Sequence, residues 1–165
     1  MLNLILSLML ILNVPTKEYH KEGISKSMAI ELSILSNDGD RIPISDEDVA
    51  LLQRCVMSEA GNQSVQAQEA VATVILNRWL NPDKYPDTIE GVIMEKDQFS
   101  IHDNGEPTVS VRLAVHDAIT YYNTVCQDIP KQCYYFRSFH YHDFGIPYVK
   151  YGDLYFSLAD GAVVD

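Results

Sequence analysis

Basic residues are scarce in this chain. Twelve Lys and Arg stand against 23 Asp and Glu over 165 residues, a formal net charge of −11. Binding to a phosphate backbone needs a basic stripe, and none is present, so nucleic acid is not an expected partner. The same deficit argues against an anionic membrane surface. Cysteine is nearly as scarce. Cys55, Cys126 and Cys133 form no C-x-x-C pair, which leaves a zinc knuckle unsupported. Cys55 sits in a helical apolar pattern and reads as core. Cys126 and Cys133 flank a helix end and the next strand; a disulfide between them would need both suitable geometry and an oxidising compartment. No G-x-S-x-G turn surrounds Ser138, so a serine hydrolase is unsupported. A glycine-rich phosphate loop is also missing. Long apolar runs are limited to residues 1–15, shorter than the ~20 residues of a spanning helix, so no stable membrane span is expected. That run resembles the h-region of a secretory signal, although no Lys or Arg precedes it and no small-x-small site follows. A buried N-terminal helix or strand and a true start at Met28 are the alternatives.

What is present is the material of one ordinary domain. Apolar residues make up 47% of the chain, enough for a core. Recognition of an anionic polymer would have to come from a shaped surface rather than charge steering. Residues 16–44 read as a linker or hairpin, with Asn37-Asp38-Gly39-Asp40 as the turn. Organisation begins at Ser45. A hydroxyl followed by Asp46, Glu47 and Asp48 marks a helix start, and Gly61-Asn62 marks its stop. A second helix begins near Ser64 and ends at Asn81-Pro82. A short helix fits residues 87–94, and a loop fits 97–107. A third long helix follows Thr108, with Val111, Val115, Ala118, Tyr122 and Val125 on one stripe. After Pro130, CYYF and DLYFS read as strands separated by a polar, aromatic loop. The sum is an α+β domain over residues 45–160, mostly helical, with a small C-terminal sheet or hairpin.

One acid stands out. At a period of 3.6, Val49, Leu52, Cys55 and Val56 share the inward stripe of the first helix, and Glu59 falls on it one turn later. Arg54, Glu47 and Ser58 take the opposite face. An inward Glu at a helix end either reaches past the core to water or a cation, or lines a cleft. In a cleft, desolvation would raise its pKa and keep it protonated, the state a glycosidic general acid needs. Periodicity leaves both open.

The segment SEAGNQSVQAQEAVATVILNR, residues 58–78, resembles the opening of the SleB-type cell-wall hydrolase family, which includes the spore cortex-lytic enzymes and related bacterial and phage peptidoglycan lytic enzymes. The shared pieces are Glu59-Ala60-Gly61, the helix-heading Gln68 and Leu76-Asn77-Arg78. Asp97-Gln98-Phe99-Ser100 is similar to the family's Gln-Phe-Ser element, and CYYF and YGDLYFS to its aromatic strands. The likeness covers about residues 46–158, with departures at Ala67, where the family often has Gly, and at Gln63, where many members have Glu. It implies a lysozyme-like domain that cleaves glycan strands between N-acetylmuramic acid and N-acetylglucosamine, with Glu59 as the catalytic acid. Similar enzymes are lytic transglycosylases, in which one carboxyl protonates the leaving oxygen and then assists attack by the sugar's own 6-hydroxyl. Most glycosidases need two carboxylates; here a second could be Asp97 or Asp153. A water-using muramidase and a non-catalytic wall-binding module are the alternatives. The implied protein is a monomer, exported or wall-acting, encoded by a bacterium or a phage, that needs no cofactor.

Around Glu59, Gln98 and Phe99 are candidate substrate contacts: an amide for a sugar acetamide and an apolar wall. Tyr134 and Tyr135 are candidates from a strand that would present one face to core and one to glycan. Arg78, at a helix end, complements the dipole. His140-Tyr141-His142-Asp143 holds ligand-type residues, but a metal would require His102 or His116 to converge with them. A polar loop over the cleft is the expected role, and no metal is assigned.

Overall fold

The computed structural model describes residues 32–36, 38–102 and 105–163. The signal-like segment 1–15 and most of the 16–44 stretch lie outside the described residues. Two short strands, β1 (Ser33–Leu35) and β2 (Arg41–Pro43), pair as an antiparallel hairpin with Ile34 opposite Ile42. Four helices follow: α1 (Asp46–Ala60), α2 (Val65–Trp79), α3 (Ile89–Met94) and α4 (Val109–Thr120). Three strands, β3 (Cys133–Ser138), β4 (Ile146–Tyr151) and β5 (Leu154–Leu158), close the chain as an antiparallel sheet with β5 in the middle. The fold is α+β and mostly helical. Among the described residues no helix is long and apolar enough to cross a membrane.

The helix starts follow from their caps. Ser45, Ser64, Thr88 and Thr108 each accept a bond from the N–H three residues on, satisfying an orphan donor of the first turn. At Ser45 three acids also face the positive end of the helix dipole.

Helix α2 is the centre of the core. Residues 70–78 are buried without a break, as expected of a rod packed on all sides by α1, α4 and β3. Its polar side chains therefore need internal partners. Asn77 meets that demand across the fold. Its Nδ2 donates to the carbonyls of Pro130 and Cys133, both at 2.9 Å, and its Oδ1 accepts the Tyr122 hydroxyl at 2.8 Å.

Two expectations are corrected. The stripe on α4 stops at Tyr122: Val125 is fully exposed, because the helix ends at Thr120 and Asn123 turns to φ 62°. The loop between CYYF and DLYFS contains β4. Pro147 disguises it, yet β4 is an edge strand with a register irregularity beside Pro147, where a missing N–H costs least. The cysteines are free; Cys126 is exposed, while Cys133 is buried and donates to the Ser157 carbonyl at 3.4 Å. Burial pushes the Cys133 thiol up to about 12.

Candidate functional site

Leu52, Cys55 and Val56 are fully buried on the inward stripe of α1, and Glu59 continues it at the helix end, half-buried. What holds that end is Gln68. Its Nε2 reaches back to the carbonyls of Ala60 (3.2 Å), Gly61 (3.4 Å) and Gln63 (3.2 Å). The Ala60 and Gly61 carbonyls lie at the end of α1, and the Gln63 carbonyl lies in the turn after it. A glutamine heading one helix thus caps the helix before it and fixes the turn that carries Glu59.

The loop after α3 closes over the carboxyl. The Ser100 N–H donates to Glu59 Oε1 at 2.7 Å. Beside it, the Ser58 hydroxyl accepts the His102 N–H at 3.0 Å and donates to the His102 carbonyl at 3.4 Å. Ser58 is therefore not the plain solvent-facing residue that periodicity suggests; it ties the loop to α1. Only the long-range pairing reveals this, since no local pattern marks it. Burial raises the Glu59 pKa above its usual value, against the opposing pull of the Ser100 N–H and the His102 charge. Among the described residues, no second carboxylate is among the groups that shift it. Asp97 is exposed, at φ 63°, with Lys96 4.0 Å away, and Asp153 is exposed in the β4–β5 turn.

Arg78 organises the other side. It is buried, and rather than serving the helix dipole it is a hub. Its Nε donates to the Tyr134 carbonyl at 2.9 Å and its Nη1 to Gln98 Oε1 at 2.8 Å. The guanidinium lies 5.0 Å from the Phe99 ring and 5.3 Å from the Tyr85 ring. Gln98, Phe99 and β3 are thus brought together by one side chain. Phe99 is half-buried and also meets Phe136. Tyr135 is half-exposed and continues this aromatic run, meeting His142 and Phe144 edge-on.

Tyr134 is a correction. It is buried, with its hydroxyl accepting from Asn81 Nδ2 at 2.9 Å. The simple alternation expected along β3 fails because the register shifts between Cys133 and Tyr135, turning both Cys133 and Tyr134 inward. Tyr134 supports the site from behind and does not present a surface for a sugar.

The His loop packs against aromatic rings. His142 stacks on Phe144 with ring centres 4.6 Å apart, and its Nε2 lies 3.3 Å from the Phe136 carbonyl, while His140 is exposed. Among the described residues no three His, Cys, Asp or Glu side chains gather as a metal-holding set. A cavity of about 400 Å³ lies elsewhere, lined by Trp79, Leu80 and hairpin residues including Ser36 and Ile42; it contains none of the candidate residues.

One contact ties the sheet to the Glu59 turn. Gln63 Oε1 accepts the Asp153 N–H at 3.2 Å. Gly152 makes the approach possible: its φ is 57°, and a Cβ there would sit 2.3 Å from Gln63 Oε1. Gly152→Ala is expected to cost about 1–2 kcal/mol, the price of the left-handed conformation for an L side chain. A denaturant titration should show a lower midpoint with an unchanged slope.

Sequence comparison agrees with this architecture. The profile of the cell wall hydrolase family matches residues 62–154, more than half of the chain, and begins just after Glu59. The chain belongs to the cell wall hydrolase family. It is 43% identical over 79 residues to the spore cortex-lytic enzyme of Oceanobacillus iheyensis, covering 46% of this chain and 28% of that protein. It is 34% identical over 104 residues to that of Bacillus cereus, covering 59% of this chain and 40% of the other. The chain thus spans less than half the length of these relatives. Among solved structures it is similar to the catalytic domain of the Bacillus cereus SleB protein, with TM-score 0.56 and 26% identity over 68% of this chain and 91% of that one. It is also similar to the catalytic domain of the germination-specific lytic transglycosylase SleB from Bacillus anthracis, with TM-score 0.55 and 25% identity over 69% and 96%.

Proposed function

We propose that this chain cleaves peptidoglycan glycan strands between N-acetylmuramic acid and N-acetylglucosamine as a lytic transglycosylase, with Glu59 as general acid and then base. The observation that carries this reading is the Glu59 carboxyl itself: half-buried, raised in pKa, and held through one oxygen by the Ser100 N–H. Family membership and the similarity to spore cortex-lytic enzymes and SleB catalytic domains support the substrate class.

The chemistry follows from the two carboxyl oxygens. With Oε1 accepting from Ser100, the proton sits on Oε2 and faces the leaving glycosidic oxygen. Transfer of that proton lets the C1–O bond break. The resulting carboxylate then takes the proton of the 6-hydroxyl of the same muramic sugar as its oxygen bonds to C1. An anhydro ring forms, Glu59 returns protonated, and no water is consumed. The internal nucleophile replaces the second carboxylate of ordinary glycosidases, in keeping with the lack of one among the described groups that shift Glu59.

Gln98, its Oε1 held by Arg78, offers amide N–H groups to an acetamide, and Phe99 and Tyr135 offer apolar ring surface. The protein acts as a monomer on the exported side of the cell, at the wall. The products decide the mechanism. Mass spectrometry of digested walls should find anhydromuramic ends; reducing ends, heavier by one water, would assign a muramidase instead.

A further inference from the structure

Phe139 breaks two rules at once. It opens the loop between β3 and β4 with φ 74°, a conformation that bulky L residues rarely adopt. Its side chain is also 79% exposed. The chain has five phenylalanines. The other four, Phe99, Phe136, Phe144 and Phe156, each meet an aromatic ring, and Phe156 is fully buried. Among the described residues Phe139 meets none. Neither its backbone nor its packing calls for phenylalanine; glycine would satisfy the turn. Local rules broken without a gain for the fold point to a use outside the fold.

Its placement says what that use is. The Phe139 N–H donates to the Asp153 carbonyl at 2.9 Å, and the Asp153 N–H donates to Gln63 Oε1 at 3.2 Å. The Gln63 N–H in turn donates to the Ala60 carbonyl at 2.9 Å, next to Glu59. Three hydrogen bonds therefore connect the backbone of Phe139 to the turn that carries the acid, and Asp153 spends both of its backbone groups on the link. A flexible loop tip would not be tied in this way.

We infer that Phe139 is a substrate-binding residue whose ring stacks on an N-acetylhexosamine of the glycan strand, at a subsite fixed relative to Glu59 through Gln63 and Asp153. A pyranose presents an apolar C–H face that matches an exposed ring, while its hydroxyl edge stays in water. Stacking of this kind acts on substrate and transition state alike, so it appears in KM and not in kcat. The inference rests on the glycan-cleavage reading of Glu59.

The test uses two backgrounds. In the Glu59→Gln chain, Phe139→Gly should weaken binding to peptide-free glycan strands about tenfold, the scale of one lost aromatic contact. In the otherwise wild-type chain, Phe139→Gly should raise KM by a similar factor with kcat within about twofold, and Phe139→Tyr should restore KM. The thermal midpoint of Phe139→Gly should be unchanged or higher, since glycine relieves the positive φ. Unchanged binding in the Glu59→Gln background would overturn this inference alone. So would a lowered midpoint with a matching loss of kcat, which would assign the ring to folding. Lysis by Glu59→Gln at the wild-type rate would instead remove the catalytic reading on which the inference rests.

Discussion

Glu59→Gln is expected to reduce lysis of purified walls by about a thousandfold, within the 10²–10⁴ range that a positioned proton donor supplies. Gln keeps the shape of Glu and can still accept the Ser100 N–H, so the loop over the site stays in place. What it loses is the proton. The same substitution is expected to raise thermal stability at neutral pH. The folded pKa of Glu59 lies above its ordinary value of 4.5 because burial penalises the charged form. A raised pKa means the folded chain binds the proton more tightly than the unfolded one, so the associated stability is full below 4.5 and is lost as pH rises through the folded value. Above pH 4.5 the wild type must either hold an ionised carboxylate in a desolvated place or take up a proton on folding, a cost that Gln does not carry. The gain in midpoint should fade below pH 4.5. A variant that is more stable yet inactive is the signature of a functional acid, whereas a structural acid would lose stability on substitution.

Asn77→Leu is expected to be the most damaging change away from the acid. Leucine fills the space but leaves the Cys133 carbonyl and the Tyr122 hydroxyl without their side-chain partner, while the Pro130 carbonyl keeps the Cys133 N–H. At about 1–3 kcal/mol for each of these two unsatisfied groups, the loss is on the order of 2–6 kcal/mol, a large part of the 5–15 kcal/mol that holds an ordinary domain. Chemical denaturation should show the unfolding free energy falling by that amount. Lysis should fall only with the folded fraction, since Asn77 does not contact the acid.

That contrast shows what the sequence made legible. The ends of α1 and α2 were readable because Ser45 and Ser64 are local signals, acting three residues away. The inward position of Glu59 was readable because it depends on helical period alone. Asn77 and Arg78 were readable as part of a family motif but not in their roles. Asn77 reaches carbonyls 53 and 56 residues on, and Arg78 reaches Gln98 20 residues on. Such pairings exist only once the sheet has docked on α2. Tyr134 was misplaced because a one-residue register shift flips a side chain to the other face. Strand β4 was missed because Pro147 suits an edge strand and nothing in the sequence marks the edge. The roles of Ser58 and Gln63 were illegible for the same reason as that of Asn77, since their partners come from a loop and a turn distant in the chain.

The measurement that bears most directly on Glu59 is the wall-lysis rate as a function of pH, taken together with the titration of the Glu59 carboxyl followed by carbon-13 NMR. A general acid must start protonated, so the rate at limiting substrate should fall on the alkaline side with the midpoint of the Glu59 titration, above 4.5. A carboxyl that titrates at or below 4.5, or a rate that stays level while Glu59 ionises, would contradict the role proposed for it.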